Sequence, residues 1–215
     1  MKKRVHTAKG RKISSTLWLQ RQLNDPYVKL AKQKGYRSRA VFKLIELDEK
    51  LDLFKNVNSV LDLGAAPGGW SQYCASKMQN KQGSKIIAVD LKEIDNISDV
   101  EFIAGDFTDL EIQQQISERS AKFDLIISDM APSTTGHQKT DHLRITGLVE
   151  EAIAFAEEFL NKDGRFLAKL FQGGGEKELE KQLKQNFTKV KFIKPKCSRS
   201  DSTEFFIYAE GFITS

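Results

Sequence analysis

The strongest constraint on the fold of this chain is an alternation between short apolar runs and longer stretches of helical period. Ser59–Gly64 reads as a buried strand closed by glycine, and Gly69–Met78 as the helix that follows it. Lys85–Asp90, Val100–Ala104, Phe123–Asp129 and Arg165–Phe171 read as further strands, with helices over Leu110–Arg119, Asp141–Leu160 and Glu176–Asn186 among them. The final strands, Val190–Pro195 and Thr203–Ala209, have no helix between them. Strands that take turns with helices predict a mostly parallel sheet covered on both faces, and the short last connection predicts one antiparallel edge strand. The expectation is a Rossmann-like α/β domain with seven strands. Ahead of it, Asn24-Asp25-Pro26 starts a helix that Gly35 stops, and Ser38 offers an N-cap for a second helix to about Leu51. Residues 1–23 are expected to be a basic flexible arm, and residues 24–215 a single domain with this helical extension.

Charge is segregated along the chain. The net charge of +5 hides thirteen Lys/Arg against one acid, Asp25, in the first 43 residues. Residues 184–199 hold six Lys/Arg and no acid. The section between is acidic. Clustered positive charge implies a polyanionic partner, nucleic acid or an anionic membrane surface, with a solubilising tail as the bland alternative. Cys74 and Cys197 lie far apart and support neither a disulfide framework nor a metal pattern with the three histidines. No apolar core follows the basic start, and no apolar run approaches membrane-spanning length. A cytoplasmic protein with no metal and no membrane partner is expected.

The turn after the first strand, Gly64-Ala65-Ala66-Pro67-Gly68-Gly69-Trp70, sits where an open α/β sheet binds ligands. Its spacing is not G-x-G-x-x-G, and Pro67 removes an N–H that a pyrophosphate could use. Asp90 ends the next strand, some 20 residues beyond Gly69, where an acid accepts from ribose hydroxyls. Asp106 follows the third strand and can receive an adenine amino group. Three such strand ends describe a nucleoside cofactor with weak phosphate features, which S-adenosylmethionine (SAM) fits better than a dinucleotide. Asp129 ends the fourth strand at the same edge. Lys169 lies in an apolar strand and must find an acid or a cavity. Asp129 and Glu204 are candidates, and Lys43 lies in the basic helix. A structural salt bridge and a catalytic set both account for these residues taken alone.

The stretches Tyr36–Leu44, Leu61–Gln72 (LDLGAAPGGWSQ), Gly105-Asp106-Phe107, Ser128–Pro132, Lys169–Gly173 and Ser200–Glu204 resemble the FtsJ/RrmJ-type ribose 2′-O-methyltransferases, specifically the bacterial enzymes acting on large-subunit ribosomal RNA. The resemblance implies a class I SAM-dependent methyltransferase fold. It implies a catalytic set of Lys43, Asp129, Lys169 and Glu204. It implies SAM contacts at the turn, with Gly64, Pro67, Gly68, Gly69 and Trp70, and from Asp90, Asp106 and Asp129. The substrate implied is a uridine in the A-loop of 23S rRNA on the assembled large subunit. Lys32, Lys34, Arg37 and Arg39, with the strip that includes Lys194 and Lys196, are the expected phosphate contacts. A monomer without DNA binding is expected. A nicotinamide-dependent dehydrogenase, a nonenzymatic ribosome-assembly factor and a protein or DNA methyltransferase are the competing readings. The glycine spacing disfavours the first, the full Lys-Asp-Lys-Glu set the second, and the Asp129-Met130-Ala131-Pro132 run the third.

Overall fold

The computed structural model describes residues 13–131, 138–173, 175–199 and 202–213. Three helices come first: α1 (Ile13–Asn24), α2 (Pro26–Gln33) and α3 (Val41–Leu51). Asp25 caps α2 in extended conformation, its carboxylate accepting from the Tyr27 N–H at 3.0 Å, with Pro26 in the first turn where a missing donor costs nothing. The expected arm is therefore helical from Ile13 onward, and residues 1–12 lie outside the described ones. Ser38 is not the cap of α3. A turn through residues 38–40 precedes the helix, and the Ser38 hydroxyl instead abuts Gly69.

The strands are β1 (Ser59–Leu63), β2 (Lys85–Asp90), β3 (Glu101–Ala104), β4 (Phe123–Ser128), β5 (Leu160–Phe171), β6 (Phe187–Ile193) and β7 (Glu204–Phe212). Between them lie α4 (Gly69–Met78), α5 (Leu110–Arg119), α6 (Gln138–Phe159) and α7 (Glu176–Asn186). The sheet order is β3-β2-β1-β4-β5-β7-β6. β7 runs antiparallel to both neighbours, so the reversed strand lies one place in from the edge, with β6 outside it. β1 and β4 are adjacent, and strand order reverses there. That is the switch point at which such sheets open a crevice beyond their carboxyl ends.

Strand alternation divides the interior into two layers. Val60, Leu125, Ile127, Leu167, Phe206 and Tyr208 pack with α3 and α4. Leu61, Leu63, Ile126, Phe166, Ala168 and Ile207 pack with α5, α6 and α7. Both faces are covered, so the strands read as continuous apolar runs. The polar exceptions are informative because their parity is shared. Asp62, Lys169 and Glu204 all belong to the α3–α4 face. No helix among the described residues is long and apolar enough to cross a membrane.

The N-terminal helices are tied to the far end of the chain. Asp25, buried at 8% exposure, pairs with Arg39 and, at 3.4 Å, with Arg199. Arg39 also donates to the Cys197 carbonyl and lies over the Tyr27 ring. Asp25→Ala would remove a helix cap and strand two partly buried guanidinium groups. It is expected to cost about 2–4 kcal/mol and to lower Tm by roughly 4–16 °C in a thermal melt. An unchanged Tm would contradict this clasp.

Candidate active site

Sheet register brings distant charges together at the carboxyl rim. Ser128 pairs with Ala168, so the next residue of each strand, Asp129 and Lys169, are neighbours. β7 runs back along β5 with Glu204 opposite Phe171 and Phe206 opposite Lys169, which sets Glu204 at the same rim and on the same face. α3 covers that face with Lys43 in its first turn. Lys43 Nζ lies 2.8 Å from Glu204 Oε2 and 3.5 Å from Asp129 Oδ1. Lys169 Nζ lies 2.9 Å from Asp129 Oδ1 and donates to the Asp129 carbonyl at 2.7 Å. All four predicted catalytic residues thus meet in one array of two ammonium groups and two carboxylates.

Both lysines are buried, with 8% and 7% exposure for Lys43 and Lys169. Burial alone would pull the Lys43 ammonium down. The Asp129 and Glu204 carboxylates outweigh it and hold Lys43 above the ordinary lysine range, so it is cationic at neutral pH. Asp129 Oδ1 stands within ion-pair distance of both lysines, yet no donor is aligned to hydrogen-bond it. A buried carboxylate oxygen held by charge alone retains acceptor capacity for a ligand.

The glycine turn borders this array. Gly64 has φ +74°, and a Cβ there would lie 2.2 Å from Met130 Cγ, so only glycine lets the turn after β1 close against the turn after β4. Gly68 has φ +98°, and a Cβ there would meet the Arg37 guanidinium and Ile97 at 2.8 Å. A Cβ on Gly69 would lie 2.6 Å from the Ser38 hydroxyl. The Ala66–Pro67 peptide is cis. Asp90 holds the turn, accepting from the Ala66 N–H and the Lys92 N–H, each at 2.8 Å. Asp106 Oδ1 accepts from the Thr108 N–H and hydroxyl. The Trp70 indole points into the core, its N–H on the Ala40 carbonyl at 2.9 Å and its ring against Phe206. The Trp70 main-chain N–H lies in the first turn of α4, where helices leave donors open.

With that geometry in view, the family profile of FtsJ-like methyltransferases matches residues 36–212. The chain belongs to this family. It is 52% identical over 214 residues to the Ribosomal RNA large subunit methyltransferase E of Xanthobacter autotrophicus, covering 99% of this chain and 84% of that one. The protein of that name in Paramagnetospirillum magneticum is 51% identical, over 97% and 87% of the two chains. A crystal structure named as a ribosomal RNA methyltransferase, from Plasmodium falciparum, superposes with a TM-score of 0.75 at 33% identity, over 82% of this chain and 98% of that one.

In this FtsJ-like methyltransferase two of the expected phosphate contacts have other duties. Arg37 donates to the carbonyls of Asp95 (2.7 Å), Asn96 (2.8 Å) and Pro67 (3.4 Å), strapping the β2–β3 loop to the glycine turn. Arg39 is committed to Asp25 and Cys197. Both guanidinium groups therefore hold the fold, and each keeps donors beyond these bonds. Lys32, Lys34 and Lys196 are exposed, and Lys194 is exposed with one bond to the Ser202 carbonyl at 2.8 Å. Gln72 was not singled out from the sequence. It accepts from the Arg37 N–H at 2.8 Å and donates to the Gly35 carbonyl at 3.2 Å, fastening the α2–α3 turn to α4.

Asp62 was missed as well, although an acid inside Val60-Leu61-Asp62-Leu63 carries the same signal as Lys169. It is 1% exposed and accepts from the Ser71 hydroxyl at 2.6 Å, joining β1 to α4 beneath the glycine turn. Burial pushes its carboxyl up to about 7, with the Ser71 donor opposing and the charges of Asp129 and Asp90 adding. The folded state thus favours the protonated acid. Its contribution to stability is complete below the unfolded value of about 4 and is lost as pH rises through about 7. Asp62→Asn keeps an acceptor for Ser71 and is neutral throughout. Its Tm relative to the unsubstituted protein is expected to rise between about pH 5 and about pH 8. A difference that stays constant with pH would contradict the assignment.

Proposed function

We propose that this protein is a SAM-dependent ribose 2′-O-methyltransferase acting on large-subunit ribosomal RNA, at a uridine of the A-loop, and working as a monomer. The observation that carries the reading is the convergence of Lys43, Asp129, Lys169 and Glu204 beside a glycine turn at the sheet's switch point. The names of the relatives above support large-subunit rRNA as the substrate.

The residues present fit SAM. Asp129 Oδ1 is a buried acceptor without an aligned donor, beside a turn whose glycines let it close against Met130, Arg37 and Ser38. Asp90 and Asp106 each keep acceptor capacity beyond the bonds described, for ribose hydroxyls and an adenine amino group. SAM, when bound, supplies a methyl group activated by its sulfonium.

The task left to the protein is alignment and the 2′-hydroxyl proton. Holding two reactants in attack geometry is worth up to about 7–11 kcal/mol in ideal cases, and positioned proton transfer adds about 10²–10⁴-fold. Lys169 is the residue assigned to the 2′-oxygen. The Asp129 carbonyl accepts one N–H from its nitrogen and the Asp129 carboxylate holds it by charge, which leaves a further valence for the hydroxyl. As a neutral amine that valence is a lone pair that removes the proton; as a cation it is an N–H that steadies the developing alkoxide. Lys43, cationic between Glu204 and Asp129, keeps both carboxylates in place. The exposed Lys32, Lys34, Lys194 and Lys196 meet phosphates.

Large subunits lacking ribose methylation, incubated with the protein and SAM and then mapped for 2′-O-methyl groups, test this directly. One new mark is expected, in the A-loop, and Lys169→Ala should lower kcat by about 10²-fold or more with SAM affinity retained. An absent mark would reject the function, and near-normal turnover by Lys169→Ala would reject the role of that residue.

A further inference from the structure

The carboxyl rim continues past Glu204 to the open edge of the sheet. There β5 has just ended, β6 ends at Ile193 and β7 begins, and a cavity of about 350 Å³ opens between them. Gln172, Phe192, Lys194, Thr203 and Phe205 line it, with Phe192 and Phe205 on the α7 side of the sheet and Glu204 at the rim between this cavity and the candidate active site. The volume is at the small end of the roughly 300–1,000 Å³ range of small-ligand sites. Phe192 is 37% exposed, and its ring is held edge-on by Phe205, centroids 5.6 Å apart at 61°. A large aromatic fixed in orientation yet left open to solvent presents a flat π surface.

The charge around this surface is selective. Lys194, two residues on from Phe192, is the lysine in the cavity wall, and residues 184–199 hold no acid. Lys194 donates one N–H to the Ser202 carbonyl and has two more for a phosphate. The exposed Gln172 side chain offers both a donor and an acceptor at the rim. Glu176 is the other acid in the wall, and its Oε1 accepts from the Gly173 N–H at 3.0 Å. An aromatic face with an ammonium group beside it is how proteins hold an unstacked base of a single-stranded segment, by stacking on the ring while a backbone phosphate meets the cation.

We propose that this cavity is a base-binding subsite. It takes the nucleobase of the nucleotide next to the one whose ribose is methylated, stacked on Phe192, with its phosphate against Lys194. The inference rests on the RNA methyltransferase reading above and adds to it how the substrate strand is splayed over the rim.

The test measures methyl transfer to undermethylated large subunits by Phe192→Ala, Phe192→Leu and Phe192→Tyr, with Tm and SAM affinity recorded for each. Loss of a stacked base should raise the KM for the subunit by about 5- to 150-fold in the alanine variant. Leucine restores apolar contact with Phe205 but no π face, so it should remain impaired, while tyrosine should rescue, all with kcat at saturating subunit and SAM affinity unmoved. An unchanged KM in Phe192→Ala would overturn the subsite. Rescue by leucine equal to that by tyrosine would also overturn it, pointing to packing or a protein contact. If the unsubstituted protein transfers no methyl group to the subunit, the RNA methyltransferase reading falls, and the subsite with it.

Discussion

The Asp129 carboxylate, set against two buried ammonium groups, is the interaction on which the rest of the site depends. Lys43 and Lys169 both lie in a layer that is mostly apolar. A buried lysine without an anion is strongly unfavourable, and burying the two together adds their mutual repulsion. Asp129 and Glu204 bring the formal charge of the array to zero. The arrangement has a structural consequence and a chemical one. It draws the first turn of α3 onto the sheet rim, and it fixes polar groups in a water-poor place, which under the proposed function is where they would act most strongly on developing charge.

The glycine turn is held in a comparable way from several sides. Asp90 grips it from β2, Arg37 ties it to the β2–β3 loop, and Gln72 binds the α2–α3 turn that carries Arg37. The basic head is therefore of two kinds. Arg37 and Arg39 bond to protein acceptors and hold the fold together, whereas Lys32 and Lys34 stay exposed. This division matches the chemistry of the side chains. A planar guanidinium with five donors suits several carbonyl and carboxylate acceptors at once, and an ammonium on a flexible stem suits a phosphate in solvent.

Much of this architecture was legible in the sequence because it rests on period and parity. Alternation of strand and helix implied the parallel sheet, and the missing last helix implied β7. Lys169 announced itself as a charge inside an apolar strand, and parity then placed it with Glu204. Asp62 carried the same signal and was passed over, since its partner Ser71 lies on a helix whose facing side cannot be read from the strand. The clasps of Arg37, Arg39 and Gln72 were illegible for a different reason. Their acceptors are mostly main-chain carbonyls, which leave no mark in a sequence. Ser38 looked like a cap by local chemistry, but the turn at residues 38–40 is shaped by contact with Gly69. The helix over Ile13–Asn24 was hidden because its apolar residues have only weak helical periodicity and it follows the basic first twelve residues.

The central claim is that the four charges act as one unit on the reacting oxygen. A double-mutant cycle with Lys43→Met and Glu204→Gln, read as the single-turnover rate of methyl transfer at saturating SAM and subunit, tests it most directly. Members of one catalytic unit are grossly non-additive, so the double variant should be within about threefold of the slower single variant. A rate loss in the double variant equal to the product of the two single losses would mean that Lys43 and Glu204 act independently, and would contradict the account.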